Sequence, residues 1–332
     1  MKKILVIGTG SIAERHIKNI LKLNQKININ IFSQNKNRAK NFIKKFKNKN
    51  ISLIPNLYLK KKDYTHVIIA SQTLSHNKYI SYFNKNCKNI YCEKPLPTDK
   101  YTKSLINFSQ KKEINEKIKI GFQFRFNPAI QFIKKELRKK ENKDVYLINF
   151  SCGQNLKEWR KNKNYKKLLS AGNNYYGSVI WELCHDIDTL KYIYREPNKV
   201  FSKITNSKYL KINTGDISIS TLRFKNSNTN CIISLEMLSP ILYKKLTVIS
   251  LKNCYEVDLI TNTVVKKNKN RSFKYSFKSN RNLMFKDLIK KFVNNKKKSE
   301  NFDYATLKDG ISVSKIISKM YESNRKNKFI SI

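Results

Sequence analysis

The sequence predicts an α/β protein of two domains. The first, residues 1–121, is expected to hold a doubly wound parallel sheet, and the second, residues 122–332, an α/β fold with a largely antiparallel open sheet. The length of 332 residues and a hydrophobic fraction of 40% allow two cores. Strand and helix patterns alternate over the first ~120 residues, which indicates crossover helices and parallel pairing. After Asn127-Pro128, β-like segments follow one another through turns, which favours antiparallel pairing.

The apolar periodicity assigns the elements in order. In the first domain we expect strands at 3–7, 27–32, 51–53, 66–70, 89–92 and 117–122, and helices at 11–23, 37–46, 77–86 and from a cap at 98–99 to 108. In the second domain we expect strands at 145–152, 200–204, 217–224, 231–237, 245–250, 255–258 and 263–266. Its helices are predicted at 129–140, 177–194, 283–294 and 309–323.

A glycine turn near the start of the chain is the most informative local motif. The run Gly8-Thr9-Gly10-Ser11-Ile12-Ala13 follows an apolar strand and opens an amphipathic helix. Gly8 permits a tight turn, and Gly10, which has no Cβ, lets the backbone approach a phosphate. The helix start offers free N–H groups to an anion. The alternative is a strand, turn and helix that bind nothing.

The charge and cysteine content narrow the class of protein. The net charge is +46, but the lysines are spread along the chain among many Asn and Ile residues, without interleaved aromatics or a nucleic-acid motif. We therefore expect attraction of anionic ligands and no specific nucleic-acid partner. Six scattered cysteines without a C-x-x-C predict reduced thiols and no metal site. The absence of a long apolar run predicts a cytoplasmic protein without a membrane partner.

Two clusters at predicted strand ends could carry chemistry. Glu93-Lys94-Pro95 directly follows a strand, at the sheet edge where doubly wound folds bind ligands. Lys94 could direct its ammonium at a substrate oxygen, or be an ordinary surface lysine. Residues 121–128 lie at the domain junction, where Arg125 could hold an anionic or hydroxylated group. The alternative is a strand end that packs its aromatics into the core.

A third cluster gathers acids around one of only four histidines. In the predicted helix at 177–194, spacings of three place Glu182, His185 and Asp188 on neighbouring positions of one face. A carboxylate beside an imidazole fixes its tautomer and supports its cationic form, as a general base requires. The alternative is a solvated charge cluster.

The order of these motifs resembles the Gfo/Idh/MocA oxidoreductases. The resemblance rests on G-x-G-x-x-A-x-x-H from Gly8 to His16, then Glu93-Lys94-Pro95, the 121–128 segment and the 177–188 segment. It implies a Rossmann domain, a nicotinamide cofactor and a C-terminal domain for substrate binding and oligomerisation. The family's catalytic lysine falls on Lys94 and its catalytic histidine on His185. Glu182 falls where the acidic partner is usually aspartate, and Asp188 takes the second acid position.

The resemblance also implies binding residues. For the cofactor these are the glycine loop from Gly8 to Ile12 together with Ser71, His76, Glu93 and Lys94. For the substrate they are Arg125, Trp159, Arg160, Tyr165 and His185. The branch associated with sialic-acid-like (nonulosonic) and surface-polysaccharide sugars is most resembled by Trp159-Arg160, Tyr165, Ser170-Ala171 and the stretch from Glu182 to Asp188. The irregular 171–174 loop and Glu in place of Asp at 182 depart from the family pattern.

The end of the second strand bears on the cofactor. In NAD-dependent Rossmann proteins an acid here binds the ribose 2′-hydroxyl, but residues 31–38 contain none. Ser33, with Lys36 and Arg38 nearby, could accept a 2′-phosphate, so NADP(H) is favoured over NAD(H). The alternative is that Ser33 and Gln34 bond the ribose diol without discrimination.

These residues predict hydride transfer between the cofactor and a hydroxyl or keto carbon of a sugar or nucleotide-sugar, by a homodimer or homotetramer. One alternative enzyme holds NAD tightly for internal redox, as in epimerisation or glycoside cleavage. Another alternative is a non-catalytic cofactor-binding protein.

Overall fold

The chain divides into two compact units. A computed structural model describes residues 2–23, 26–57, 64–159, 164–167, 171–172, 175–294 and 304–332. Unit 1 comprises 1–126 and 281–312, and unit 2 comprises 127–280 and 313–332. The sequence boundary after residue 121 lies slightly early, and the return of 281–312 to the first unit was not expected. None of the helices in the described ranges is long and apolar enough to cross a membrane.

Unit 1 is built on a seven-stranded sheet. Its parallel strands are β1 (Lys2–Ile7), β2 (Ile27–Phe32), β3 (Ile51–Leu53), β4 (His66–Ile69), β5 (Asn89–Cys92) and β6 (Ile118–Ile120). The edge strand β15 (Ala305–Thr306) pairs antiparallel with β6. The order β15-β6-β5-β4-β1-β2-β3 reverses between β1 and β4. The doubly wound Rossmann sheet is therefore confirmed, and its switch point lies at β1 and β4.

The helices of unit 1 complete its core. They are α1 (Ser11–Leu21), α2 (Lys36–Ile43), α3 (His76–Phe83), α4 (Thr102–Gln110), α5 (Lys112–Lys117) and α9 (Arg281–Asn294). Buried side chains of α9, such as Leu288 and Ile289, belong to the same core cluster as Ile4 and Ile17. Burial of this apolar stripe attaches 281–294 to the unit, because apolar side chains gain most free energy where they leave water.

Unit 2 holds a nine-stranded sheet. Its strands are β7 (Val145–Gly153), β8 (Lys199–Thr205), β9 (Ile217–Arg223), β10 (Asn230–Glu236), β11 (Tyr243–Ser250), β12 (Cys254–Asp258), β13 (Thr263–Lys267), β14 (Ser272–Ser276) and β16 (Ile330–Ser331). The order is β14-β13-β12-β11-β7-β10-β9-β8-β16. Every pairing is antiparallel except β7 with β10, which is parallel. The predicted largely antiparallel sheet is confirmed, although β14 and β16 were not expected.

The helices of unit 2 include α6 (Pro128–Leu137), α7 (Val179–Glu182) and α8 (His185–Ile193), and α10 (Leu307–Lys326) is divided between the two units. Asn127 caps α6, because its Oδ1 accepts hydrogen bonds from the N–H groups of Ala129 and Ile130. The single helix predicted over 177–194 is wrong. The backbone leaves the helix at Leu183, with φ −99° and ψ 22°, and a second helix begins at His185.

Candidate functional site

The glycine turn adopts the conformation that its sequence predicts. Gly8 has φ +118°, and a Cβ there would lie 2.3 Å from the carbonyl oxygen of Ala70. Gly10 precedes α1, and a Cβ built on it would have no atom within 4 Å. Gly8 is thus required by the fold, whereas Gly10 leaves open space before the N-terminus of α1. That space suits an anionic group such as a pyrophosphate. Thr9, Ser11 and Ile12 lie in the same turn and the first helical residues.

Glu93 lies in a buried hydrogen-bond network just before Lys94. Its Oε1 is 2.7 Å from Nε2 of His16 on α1 and accepts a hydrogen bond from the Tyr91 hydroxyl at 2.9 Å. Burial by itself raises the pKa of Glu93. The bonds from His16 and Tyr91 and the charge of Lys94 outweigh that effect and hold the pKa below its usual value. Gly121 makes room for this carboxylate, because a Cβ there would approach Glu93 Oε2 at 3.0 Å.

This network gives Glu93 a structural role, because it is buried against His16 and Tyr91. Contact of Glu93 with a cofactor, which the resemblance implies, stays a prediction. Lys94, the next residue, is partly exposed at the carboxyl end of β5. The network therefore fixes the backbone that presents Lys94. The sequence carried the signal for His16 in the spacing from Gly8, but not for its partner.

His76 and Ser71 form a second hydrogen-bonded cluster next to the Lys94-Pro95 turn. His76 is 1% exposed, and its Nδ1 and Nε2 lie 2.9 Å and 3.1 Å from the carbonyl oxygens of Pro95 and Ser71. Burial lowers the pKa of His76. The Ser71 hydroxyl lies 2.7 Å from that of Ser75. His76 thus joins the turn after β4 to the Lys94-Pro95 turn, whose peptide bond is cis. Contact of Ser71 or His76 with a cofactor stays a prediction.

The end of β2 presents polar and basic side chains. Ser33 is partly buried, and Gln34 and Arg38 are exposed. Asn35 caps α2 by accepting a hydrogen bond from the backbone N–H of Arg38 at 2.8 Å. A cavity of about 180 Å³ opens beside Gln34 and contains one residue that sequence reasoning missed, Lys78. Its other lining residues are Phe32, Pro55, Asn56, Leu57, Tyr79 and Tyr82.

Arg125 has a partner that the sequence did not suggest. It is 6% exposed, and its Nη1 donates to Asp309 Oδ2 and to the carbonyl of Tyr304, both at 3.3 Å. The guanidinium of Arg125 thus joins the 304–309 segment to the rest of unit 1, and its contact with a substrate stays a prediction. An Arg–carboxylate pair between segments distant in sequence cannot be recognised from local spacing.

In unit 2 the predicted acid–histidine cluster divides between two helices. Glu182 ends α7 and His185 begins α8, and both side chains are partly exposed. Asp188 is fully buried in the first turn of α8. An acid that sequence reasoning passed over, Asp186, is paired with the buried Lys244 of β11.

The other residues that the sequence predicts to bind substrate belong to the segment before α7. Trp159 is partly buried, and the Tyr165 hydroxyl donates to the carbonyl of Leu210 at 3.0 Å. Arg160 and Ser170 lie outside the described residues. The loop therefore carries the predicted residue types, and their contact with a substrate stays a prediction.

Comparison with known proteins agrees with this geometry. Residues 2–114 match the GFO_IDH_MocA family model, described as an oxidoreductase family with an NAD-binding Rossmann fold. Over 220 residues the chain is 24% identical to glucose-6-phosphate 3-dehydrogenase of Bacillus subtilis (strain 168), covering 64% of this chain and 58% of that protein. Over 137 residues it is 27% identical to inositol 2-dehydrogenase of Acidothermus cellulolyticus, covering 41% of this chain and 40% of that protein.

The whole fold is also found in solved structures. Levoglucosan dehydrogenase in complex with NADH and L-sorbose superposes with a TM-score of 0.81 at 14% identity, over 100% of this chain and 99% of that one. At this identity the likeness concerns the fold. The matched segments span about half the length of the two sequence relatives. Together these matches support the family that the motifs suggested.

Proposed function

We propose that this chain is an NAD(P)-dependent dehydrogenase of a sugar or polyol. The proposal is supported by the match of residues 2–114 to the Gfo/Idh/MocA family model and by the two dehydrogenases among the relatives. One observation carries the proposal. The Gly8–Gly10 turn follows β1, and Lys94 follows β5, at the same carboxyl edge of the parallel sheet. The order of the strands reverses at β1 and β4, where open α/β sheets bind their ligands.

The proposed roles follow from the chemistry of the side chains. When bound, the nicotinamide accepts or supplies the hydride. His185 takes or returns the proton of the substrate hydroxyl, because an imidazole exchanges protons near neutral pH. The ammonium of Lys94 stabilises the negative charge that develops on the substrate oxygen. Glu182 or Asp188 holds the imidazole of His185 in the productive tautomer.

Cofactor binding is the first experiment. The protein is titrated with NADPH and NADH by fluorescence in ~0.3 M salt, which suppresses non-specific attraction to the basic surface. Gly10→Ala is the matched variant. Its Cβ meets no atom within 4 Å, so we expect unchanged folding and weaker nucleotide binding, because the methyl group occupies the space of the phosphate. Failure of the native protein to bind either nucleotide, with none already retained, would contradict the proposal.

We favour NADP(H) because the β2 end supplies positive charge and no acid. Arg38 is exposed and lies close to Ser33 and Gln34 in sequence. Lys78 is also exposed and lines the cavity beside Gln34. Ser33→Asp should shift the NADPH-to-NADH preference toward NADH, because a carboxylate repels a 2′-phosphate and accepts the ribose hydroxyl. An unchanged preference would argue that this strand end does not select the cofactor.

The substrate class rests on the sugar and inositol dehydrogenases among the relatives. A sugar or nucleotide-sugar, such as one destined for surface glycans or nonulosonic acids, is consistent with the Trp159, Tyr165 and Glu182–Asp188 resemblance. His185→Ala should leave cofactor affinity intact and reduce turnover by about 10²–10⁴-fold. Loss of cofactor binding in a folded variant would show that His185 has another role.

We further propose that the open face of the unit 2 sheet binds a second copy of the chain. Leu147, Ile249, Ile232 and Ile219 share this face on four adjacent strands, and their neighbours are mainly Ser, Thr and Asn. Apolar residues grouped on an open face commonly mark a protein–protein contact. Ile219→Lys should reduce the mass measured by light scattering, whereas Leu251→Lys, at another exposed apolar side chain, should not. A native monomer would contradict this.

A further inference from the structure

A buried ion pair in unit 2 lies next to the proposed proton-transfer residue. The Lys244 ammonium contacts Asp186 Oδ1, and the two residues are 6% and 1% exposed. Burial by itself lowers the pKa of Lys244, but Asp186 and Cys152 outweigh that effect and raise it. A buried charge pair of this kind is often no more stabilising than an apolar pair, so its presence invites a functional reason.

The pair lies where the helical backbone is interrupted. His185 is the first residue of α8, and Asp186 is the second. The Asp186 N–H to Leu183 carbonyl and the Asp188 N–H to Cys184 carbonyl distances are both 3.4 Å, longer than the usual 2.9–3.0 Å. The residue before His185 is a cysteine, which is not a usual helix cap. These two backbone hydrogen bonds at the start of α8 are therefore long.

Lys244 connects this helix start to a central strand. β11 is hydrogen-bonded to β7 on one side and to β12 on the other, so Lys244 projects from the interior of the sheet. In that register Lys244 is opposite Cys152. On the helix side, the Thr189 hydroxyl donates to the His185 carbonyl at 2.8 Å. The sheet thus anchors the residue that follows His185, and α8 itself holds the His185 carbonyl.

We propose that Lys244 is a positioning residue for His185, acting through Asp186. It holds the first turn of α8 against β11 and so sets the direction in which the imidazole meets the substrate. This inference rests on the proposed function, in which His185 moves the hydroxyl proton. Small displacements of a reacting group are costly, since about 1 Å can lower turnover by about 10²-fold.

A matched pair elsewhere in unit 2 separates positioning from simple stability. Lys266 of β13 donates to Glu136 of α6 at 2.8 Å, and Glu136 is 5% exposed. It too joins a helix to the sheet, but neither residue adjoins the proposed catalytic groups in sequence. Lys266→Met should therefore destabilise the unit without changing the environment of His185.

The first measurement needs no substrate. The four histidines give a simple imidazole NMR spectrum of the labelled full-length protein, in which His185→Ala assigns the His185 signal. In Lys244→Met we expect that signal to shift or broaden while those of the other three histidines stay in place. Lys266→Met should leave all four unchanged. An unmoved His185 signal in folded Lys244→Met would overturn the proposal.

Because Lys244→Met leaves a buried carboxylate without its cation, the double variant Asp186→Asn/Lys244→Met is measured in parallel. It removes both charges, and it should fold where the single variant does not. We expect the same perturbation of the His185 signal, since the connection to β11 is lost in both variants.

Turnover then tests the consequence. We expect kcat to fall about 10²-fold in Lys244→Met, with cofactor affinity and KM little changed. In a His185→Ala background the same substitution should add nothing, because the residue that it positions is gone. If His185→Ala lowers turnover but Lys244→Met does not, the positioning role of Lys244 is refuted and the proposed function is not. If His185→Ala leaves turnover intact, the proposed function fails at His185, and this inference fails with it.

Discussion

Removal of the imidazole beside Glu93 should destabilise unit 1 strongly. His16→Phe keeps a ring among its neighbours Tyr91 and Phe285, whose centroids lie 5.1 Å and 5.7 Å away, but deletes the group 2.7 Å from Glu93. The substitution removes the ring nitrogen beside the buried Glu93 carboxylate, and a buried charge left without its partner costs about 3–5 kcal/mol. A domain of about 160 residues loses about 2–4 °C of Tm per kcal/mol. We therefore expect the Tm of unit 1 to fall by about 6–20 °C.

The two tryptophans, Trp159 and Trp181, both lie in unit 2. Far-UV circular dichroism therefore follows both units, whereas tryptophan fluorescence follows unit 2. We expect the variant to show an early transition in dichroism that fluorescence does not report. The matched control at pH 7.5 is His66→Phe, because His66 is also buried in unit 1 but lies 3.0 Å from the Thr65 hydroxyl rather than from a carboxylate.

The pH dependence of stability tests whether Glu93 is ionised in the folded protein. The folded pKa of Glu93 lies below its ordinary value, so its contribution to stability is present above pH ~4.3 and is lost as the pH falls through the folded value. The difference between the native protein and His16→Phe should therefore be large at pH 7.5 and shrink in acid. If His16→Phe is no less stable than His66→Phe at pH 7.5, the argument that Glu93 is held as a buried carboxylate is refuted.

Three further substitutions test the same unit. Gly121→Ala should lower the free energy of unfolding by about 1–3 kcal/mol, since its Cβ would lie 2.6 Å from the Tyr91 hydroxyl. Urea titration measures this change, and an unchanged free energy would show that the Glu93 network adjusts at little cost. Gly8→Ala combines a positive φ with a 2.3 Å approach to the Ala70 carbonyl, so we expect about 2–6 kcal/mol of lost stability in the same assay. Burial lowers the pKa of His66 to about 4, so the native protein loses stability as the pH falls below ~6.5. His66→Phe should remove about 2 kcal/mol of that loss at pH 5, and parallel pH–stability curves would contradict it.

Most of the first unit could be predicted from periodicity, because its buried strands are short apolar runs bounded by polar turns. The strands at 27–32, 51–53 and 89–92 agree with β2, β3 and β5 at both ends. Segment 281–312 could not be assigned to that unit, since an amphipathic helix shows that it has a buried face but not which core receives it. The break at Leu183 was missed because the apolar spacing of 177–194 continues through it.

The candidate site was predictable only where chemistry and spacing coincide. Gly8, Gly10 and Lys94 lie within three residues of the end of a strand, and ligands of doubly wound sheets bind at the carboxyl ends of strands, so their positions alone indicate a binding role. Arg125 and Lys244 owe their surroundings to partners that are 184 and 58 residues away. Sequence gives no local signal for such pairs, so neither the Asp309 partner of Arg125 nor the role of Lys244 could be predicted.

The scarcity of acids explains why Lys244, the partner of Asp186, gave no signal in the sequence. The chain has 69 basic and 23 acidic residues, so a lysine at any position conveys little, whereas a buried acid must be matched by donors or cations. Within the described ranges five acids are under 9% exposed, and three of them, Glu93, Glu136 and Asp186, contact a basic side chain. Asp216 instead accepts hydrogen bonds from the backbone N–H and the hydroxyl of Ser207. In a chain so rich in lysine, acids inside apolar segments therefore indicate buried polar contacts. Asp186, between His185 and Ile187, satisfies that criterion from sequence alone, and the structure identifies Lys244 as its partner.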